Sequence, residues 1–509
     1  MHRIAVHLRS ALTQAQHLPI VPLHHPRLAS HVLPVVRLSS VTSEPHPLTR
    51  LSAAASEHVT CCSLISHHVT TPVRRCSDLR AKFSHEVKLA RVSSLPEQKM
   101  LEVEWAEGGR SIYPWLWLRD NCQCDQCFHP VSLSRTSFLQ DLDLNVAPKS
   151  FELTEDGFTL SIHWTDGHSS RHEAPWLHVR AFQAEQRRAR DLVHKIPRKF
   201  WPPQLPEANW EEVMQSDASL LQWLLLLETY GLVVMKSAPQ QQGRIRELAE
   251  RVAFVKRTHY GEDFSVIVKP DPSNVAYSNK TLALHLDLPY YFYKPGVQFI
   301  HFVRQHEGVG GESQVSDALE VAHTLREEHP QHFRLLSSVP VDWVDHANED
   351  GRQYFKALKM PVICLESDGE TIWRINFSQP QRDSYFSACP VEDVHAWYAA
   401  LKAFHDLLYD PRFCRTFKMP PGQSGNLKKK LLVYKNILCH RGKDNVLEQT
   451  FAGTVLTLDN LRVTHGRMGF PDSDDVHRHV DGCYVDWDEV RSRRRVLADT
   501  LGADITQGL

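Results

Sequence analysis

Three thiols within six residues constrain this chain more than any other feature. Cys122, Cys124 and Cys127 form a C-x-C-x-x-C turn, while the other cysteines of the 11 are scattered through 509 residues. Disulfide frameworks do not bunch in this way in long chains, but thiolate metal sites do. Such a turn can aim three sulfurs at one tetrahedral ion, and a fourth ligand must close the set. The stretch Trp164-Thr165-Asp166-Gly167-His168 offers an imidazole at a turn, and three Cys with one His make a closed, structural zinc set. His129, His163 and His172 stand nearby, so spacing alone leaves the fourth ligand open. Around the cluster, Leu101–Trp105, Phe158–Trp164 and the aromatic stretch Tyr113–Leu118 read as strands of a small sheet, whose thin core a metal would staple.

The rest of the chain divides by composition. Residues 1–43 contain no Asp or Glu but carry Arg3, Arg9, Arg27 and Arg37, and the Ser-, Arg- and His-rich character continues to about residue 84. An acid-poor, Arg- and Ser-rich start reads as a mitochondrial transit peptide over 1–84, with a cytoplasmic chain as the alternative. A small zinc-binding domain is expected over 85–185. The Pro202 to Pro206 stretch then marks a linker into a large domain over 200–500. Lys and Arg total 58 against 60 Asp and Glu, so no basic excess exists to neutralise a nucleic-acid backbone. No apolar run reaches the roughly 18 residues of a spanning helix. No internal repeat is evident.

In the large domain, Leu220–Leu227 reads as a helix entering a strand at Gly231–Met235. Ile245, Leu248, Val252 and Val255 recur at helical spacing, as do Val394, Trp397, Leu401, Phe404 and Leu408. Val297–Val303, Thr371–Phe377 and Val455–Val463 are β-type runs. The absence of a βαβ rhythm predicts a mostly β fold with flanking helices, a sandwich or jelly roll. At the strand ends, His285 and Asp287 lie two apart, and His465 follows far downstream. Two imidazoles and one carboxylate are the facial triad of non-haem Fe(II) oxygenases, with sites left open for a co-substrate. A 2-oxo acid there needs a fixed cation for its distal carboxylate. Arg478, 13 residues after His465, suits that role, and Arg467 is its competitor.

The stretches W-L-R-D-N-C-x-C-x-x-C, H-x-D-x-P, G-G-E-S, R-I-N-F, L-D-N-x-R-V-x-H-G-R and R-H-x-x-G-x-Y-x-D-W-D together resemble the gamma-butyrobetaine and trimethyllysine dioxygenase family, from about residue 87 to 500. The resemblance implies a double-stranded β-helix, a jelly-roll variant, with a small N-terminal zinc domain and a homodimeric assembly. It implies Cys122, Cys124, Cys127 and His168 as zinc ligands, and His285, Asp287 and His465 as catalytic iron ligands. Arg478 would bind 2-oxoglutarate, with the Ser313 hydroxyl near the co-substrate and ascorbate keeping the iron reduced. The implied reaction with O2 is hydroxylation of gamma-butyrobetaine to L-carnitine. Trimethyllysine hydroxylation, or a catalytically dead zinc-stapled scaffold, is the alternative. A quaternary ammonium cannot donate a hydrogen bond, so aromatic faces must recognise it. Tyr260, Phe264, Tyr277 and Tyr484 match the family's cage, and Asn274 matches a contact to the substrate carboxylate. This chain departs from the pattern at three places. Phe264 stands where a tryptophan is expected, and Leu288 where a cage tyrosine is expected, with Tyr290 and Tyr291 close behind. About 30 extra residues, near 423–452, separate Met419-Pro420-Pro421-Gly422 from Gly453-Thr454-Val455.

Overall fold

The structure, a computed structural model, describes residues 87–269, 274–306, 309–349, 351–386, 388–418, 453–471 and 478–503. The leader over 1–84 and the insert over 423–452 lie outside the described residues.

The N-terminal part is built twice. Strands β1 (Leu89–Leu95), β2 (Met100–Trp105) and β3 (Arg110–Pro114) form one antiparallel sheet, closed by a helix over Trp115–Asp120. Strands β4 (Pro148–Leu153), β5 (Thr159–Trp164) and β6 (Ser169–Glu173) form a second, closed by a helix over Ala174–Val179. The halves superimpose in sequence at an offset of 59: Leu101, Val103, Trp105, Ser111, Trp117 and Leu118 become Leu160, Ile162, Trp164, Ser170, Trp176 and Leu177. In each half the tryptophan Nε1 donates to the serine hydroxyl, at 2.8 and 2.6 Å. Tyr113 donates to the Leu177 carbonyl at 2.8 Å. Its counterpart His172, wholly buried, interacts with the Leu118 backbone without a full hydrogen bond. An internal repeat therefore exists, contrary to the expectation from sequence. Conservative exchanges such as Val103 to Ile162, and a turn of different composition, hide it. The expectation of a strand over Tyr113–Leu118 is also corrected. The chain turns helical at Trp115 after the extended Pro114, so that Trp115 and Leu118 share a buried face.

Downstream lie β7 (Glu207–Asn209), β8 (Leu232–Lys236), β9 (Asp263–Ile267), β10 (Leu282–His285), β11 (Val297–Arg304), β12 (Ser313–Asp317), the hairpin β13 (Val341–Glu349) and β14 (Arg352–Met360), the short pair β15 (Ile363–Leu365) and β16 (Ile372–Ile375), then β17 (Cys414–Phe417), β18 (Thr454–Asp459), β19 (Val463–Arg467) and β20 (His479–Val485). Two sheets result, in the orders β9-β20-β11-β18-β8-β7 and β10-β19-β12-β17. Their inner faces share one core, with Leu456, Leu458, Phe302 and Val480 of the first meeting Val315, Phe417 and Val463 of the second. Strands β9 to β12, and again β17 to β20, alternate between the two sheets, which is the jelly-roll topology. The β-run Val455–Val463 is two strands in different sheets, turned at Asn460 and Leu461.

Helices cover the outer faces. Those over Asp217–Tyr230, Arg244–Val252 and Trp487–Leu501 pack Trp223, Leu248 and Val490 against Val233, Phe299 and Cys483. Those over Ala318–Glu328, Pro330–Ser338 and Val394–Leu408 pack Leu325, Leu336 and Phe404 near Leu284 and Leu286. Because both faces of the six-stranded sheet are covered, all of Thr454–Asp459 is buried, and its sequence shows no polar alternation.

One ion pair ties these layers together. Arg462 grips Asp317 with Nε at 3.0 Å and Nη2 at 2.6 Å, and donates to the carbonyls of Thr229 and Lys199. Both side chains are essentially buried. Gly231 ends the first outer helix at φ 71°, and a Cβ there would lie 2.8 Å from the Arg462 side chain, so glycine is required twice over. Asp317→Ala, which strands the guanidinium, is expected to cost about 3–5 kcal/mol in equilibrium denaturation.

Candidate active site

The triad is assembled by strand register. His285 ends β10 and pairs directly with His465 of β19, so their rings stand 4.4 Å apart. Asp287 follows two residues after His285. Its Oδ1 lies 3.2 Å from His285 Nε2 and 3.7 Å from His465 Nε2. His285 Nδ1 lies 2.9 Å from the Ala283 carbonyl, which can only accept. Nδ1 therefore donates to that carbonyl, and Nε2, turned toward Asp287, is the atom left to ligate a metal. Burial, with His285 beside it, drives the His465 imidazole down to about 3, so it is neutral. Burial alone would raise Asp287, but His465, His285 and the Tyr484 hydroxyl hold its carboxyl below the usual carboxylate range. Two imidazoles and a carboxylate, with ligand atoms within 4.8 Å of one another, fit one divalent ion.

The second oxygen of Asp287 is taken from the other sheet. Tyr484 Oη donates to Oδ2 at 2.6 Å, and Gln298 Nε2 at 2.5 Å. Asn460 accepts from the Asp287 amide and donates to its carbonyl. Oδ1 is thus aimed at the imidazoles. Gln298 and Asn460 were missed in the sequence, yet Gln298 carried a signal: it is the polar member of the inward series Gln298, Ile300, Phe302 on β11. Tyr484→Phe keeps the packing but frees Oδ2. It is expected to weaken metal binding at the triad by about tenfold or more, read by metal titration, while the unfolding transition stays nearly unchanged.

One pocket opens above the triad between the two sheets. His285, Asp287, His465, Ser313, Arg467 and Arg478 line its floor. Arg478 is buried and donates Nε to Gln305 Oε1 at 3.2 Å; burial, with Arg467 nearby, lowers it to about 9. A cation so desolvated is suited to an anionic ligand. Arg467 instead donates to the backbone carbonyls of Ser278 and Lys280, both at 2.6 Å. The geometry therefore separates the two arginines that spacing left in competition. Tyr260, Phe264, Asn274, Tyr277, Tyr484 and Tyr290 form the upper wall. Asn274 accepts from the Ala276 amide and lies 3.4 Å from the Tyr260 hydroxyl. Leu288 also lines the pocket, at φ 55° and buried.

A second donor set lies in the small domain. His168 Nε2 is 3.2 Å from Cys122 Sγ and 3.6 Å from both Cys124 and Cys127. His168 occupies the turn between β5 and β6, where the first half has Gly109. The competing imidazoles are elsewhere: His129 Nδ1 bonds Ser132 and His163 Nδ1 bonds Ser169. Asp166 accepts from the His168 amide at 2.9 Å and from Arg119 Nε at 2.7 Å, and Arg119 Nη1 sits 3.8 Å from Cys127 Sγ. Four soft or borderline donors with no open position suit a closed tetrahedral ion.

Comparison with known proteins agrees with this geometry. The family model for the taurine catabolism dioxygenase TauD, TfdA family matches residues 192–424, and that for gamma-butyrobetaine hydroxylase-like, N-terminal matches residues 92–178. The chain is 33% identical to gamma-butyrobetaine dioxygenase of Homo sapiens, covering 80% of this chain and 97% of that protein. It is 31% identical to gamma-butyrobetaine dioxygenase of Pseudomonas sp. (strain AK-1), over 78% of this chain and 93% of the relative. Identity to the mitochondrial trimethyllysine dioxygenase of Homo sapiens is 24%, over 76% and 82%. The chain belongs to the gamma-butyrobetaine dioxygenase family of Fe(II)/2-oxoglutarate oxygenases.

Proposed function

We propose that the protein hydroxylates gamma-butyrobetaine to L-carnitine with O2 and 2-oxoglutarate, releasing succinate and CO2. The observation that carries this reading is the stacking within one pocket of a triad, a buried arginine and an aromatic wall. Iron(II) held by His285, Asp287 and His465 supplies the oxidising chemistry at an unactivated C–H bond. The chain supplies position and dryness. Arg478 anchors the distal carboxylate of 2-oxoglutarate, and Ser313 flanks it. Tyr484 and Gln298 keep Asp287 monodentate. Tyr260, Phe264, Tyr277 and Tyr290 receive the trimethylammonium.

Trimethyllysine is the second reading. It carries an α-ammonium that needs a free carboxylate. Among the described residues lining the pocket, Asp287 is committed to the triad, and Asp481 already accepts from Gly243, Ser265 and His479. That favours the butyrobetaine. Succinate formation with Fe(II), ascorbate as reductant and each substrate in turn separates the two. Stimulation by butyrobetaine with carnitine formed is the expected result. Trimethyllysine-dependent succinate would move the protein to the other activity, and an iron-free protein releasing no succinate would favour the inert scaffold. Arg478→Met is expected to abolish saturation by 2-oxoglutarate, together with the rise in melting temperature that 2-oxoglutarate gives the parent.

The Cys3His set is assigned a structural zinc, one per chain, which metal analysis would count. Stripping it with a strong chelator, or Cys124→Ser, is expected to lose the near-ultraviolet signal of the tryptophans packed in the small domain. The chain is taken to be a homodimer, testable by sedimentation. The Arg-rich leader is taken to direct it to mitochondria, testable with a reporter fused to residues 1–84.

A further inference from the structure

The aromatic wall is backed by a carboxylate that does not line the pocket. Asp345 comes from β13 of the hairpin, which joins neither jelly-roll sheet. The hairpin is seated on the pocket rim: Val344 donates to the Gln381 carbonyl, Asp383 donates to the Asp342 carbonyl, and Gln381 lines the pocket. Asp345 is largely buried there, at 13% side-chain exposure, beside His259 at 1%.

The hydrogen bonds assign the charges. His259 Nε2 lies 3.1 Å from Asp345 Oδ2, and the carboxylate can only accept, so the proton is on Nε2. His259 Nδ1 lies 2.9 Å from the Tyr291 hydroxyl, which already accepts from the His259 amide at 3.1 Å and has its own proton to give. Nε2–H donates to Asp345, and the Tyr291 hydroxyl donates to Nδ1. Lys356 faces Asp345 across the hairpin, yet it makes no ion pair with it among the described residues and sits 4.7 Å over the Tyr291 ring. Tyr290, 4% exposed, packs its ring 5.9 Å from that of His259. The His259 ring lies 4.0 Å from that of Tyr260. Both tyrosines line the pocket. One anion thus stands directly behind two cage walls.

We propose that Asp345 is a specificity-determining positioning residue, whose carboxylate, relayed through His259 to Tyr260, makes this pocket select a quaternary ammonium over a neutral group of the same shape. The need is visible in the wall itself. Leu288 contributes no π face and Phe264 a weaker one than an indole. An imidazole that donates its proton to a carboxylate has a more electron-rich ring, and the His259 ring packs against that of Tyr260. The anion behind it also attracts a desolvated cation across the ring through a poorly screened medium.

The inference rests on the quaternary-ammonium reading of the pocket, and its test separates the two. Calorimetric Kd values are measured on the full chain for gamma-butyrobetaine, for its neutral carbon isostere 5,5-dimethylhexanoate, and for tetramethylammonium. Asp345→Asn keeps the shape and an acceptor for His259. It is expected to weaken both cations by about tenfold and the isostere by less than about twofold, with Asp345→Glu recovering part of the loss. Equal weakening of all three ligands would show a merely structural role and overturn the proposal, as would no change in any. If the parent fails to bind butyrobetaine while tetramethylammonium binding still depends on Asp345, the substrate reading falls and this inference stands. If the parent binds neither cation, both fall.

Discussion

The hydrogen bonds to Asp287 from the opposite sheet are the constraint on which the site depends. The imidazoles belong to the four-stranded sheet, and Tyr484 and Gln298 to the six-stranded one. Tyr484 and Gln298 are direct neighbours across β11 and β20, so their two donors arrive together. A jelly roll brings its sheets close only where inner side chains meet. Here that meeting point is made polar and spent on one carboxylate. Asp287 without these donors would carry an unsatisfied oxygen. The metal-binding geometry and the sheet packing are therefore the same interaction seen from two sides.

Much of this was legible in the sequence. The triad, Arg478 and the cysteine cluster were readable because their chemistry demands particular residue types at particular places. The structure brings His285, Asp287 and His465 together, sets His168 beside the three thiols, and places Arg478 in the pocket that the triad lines. The fourth ligand His168 needed coordinates, since four histidines were within reach and only the turn after β5 aims at the thiols. The strands of the six-stranded sheet were partly hidden for another reason. With both faces covered, Val455–Val463 carries no alternation to mark where β18 stops and β19 begins. Asp345 was invisible because its role depends on what stands opposite it, which no local pattern encodes.

The repeat in the small domain shows why its Cys3His cluster is lopsided. Both halves keep the tryptophan–serine bond and the closing helix, so each is a β-β-β-α unit with the same core. Each unit alone is too thin to fold, and each contributes its apolar face to the shared core. The ligands break the symmetry. The thiols follow the first helix, whereas the imidazole is in the second hairpin. A metal held this way ties one half to the other, and Arg119 with Asp166 repeats that tie by an ion pair of 2.7 Å. With a sulfur-rich donor set, the guanidinium near Cys127 offsets negative charge at the point where it collects.

The departures from the family pattern concern shape as much as charge. Leu288 sits at φ 55°, a conformation that costs a branched side chain about 1 kcal/mol or more. Its surroundings hold it there. Tyr291 donates its amide to the Leu288 carbonyl, Asn376 donates to the Pro289 carbonyl, and Arg374 donates to the carbonyls of Tyr291 and Phe292. Arg374 and Asn376 belong to the R-I-N-F stretch and do not line the pocket. Their work is to fix a loop whose carbonyls would otherwise be buried without donors. The strained turn at Leu288 swings the chain so that Tyr290 enters the wall. An aromatic face absent at Leu288 is thereby present in the wall two residues later, at Tyr290.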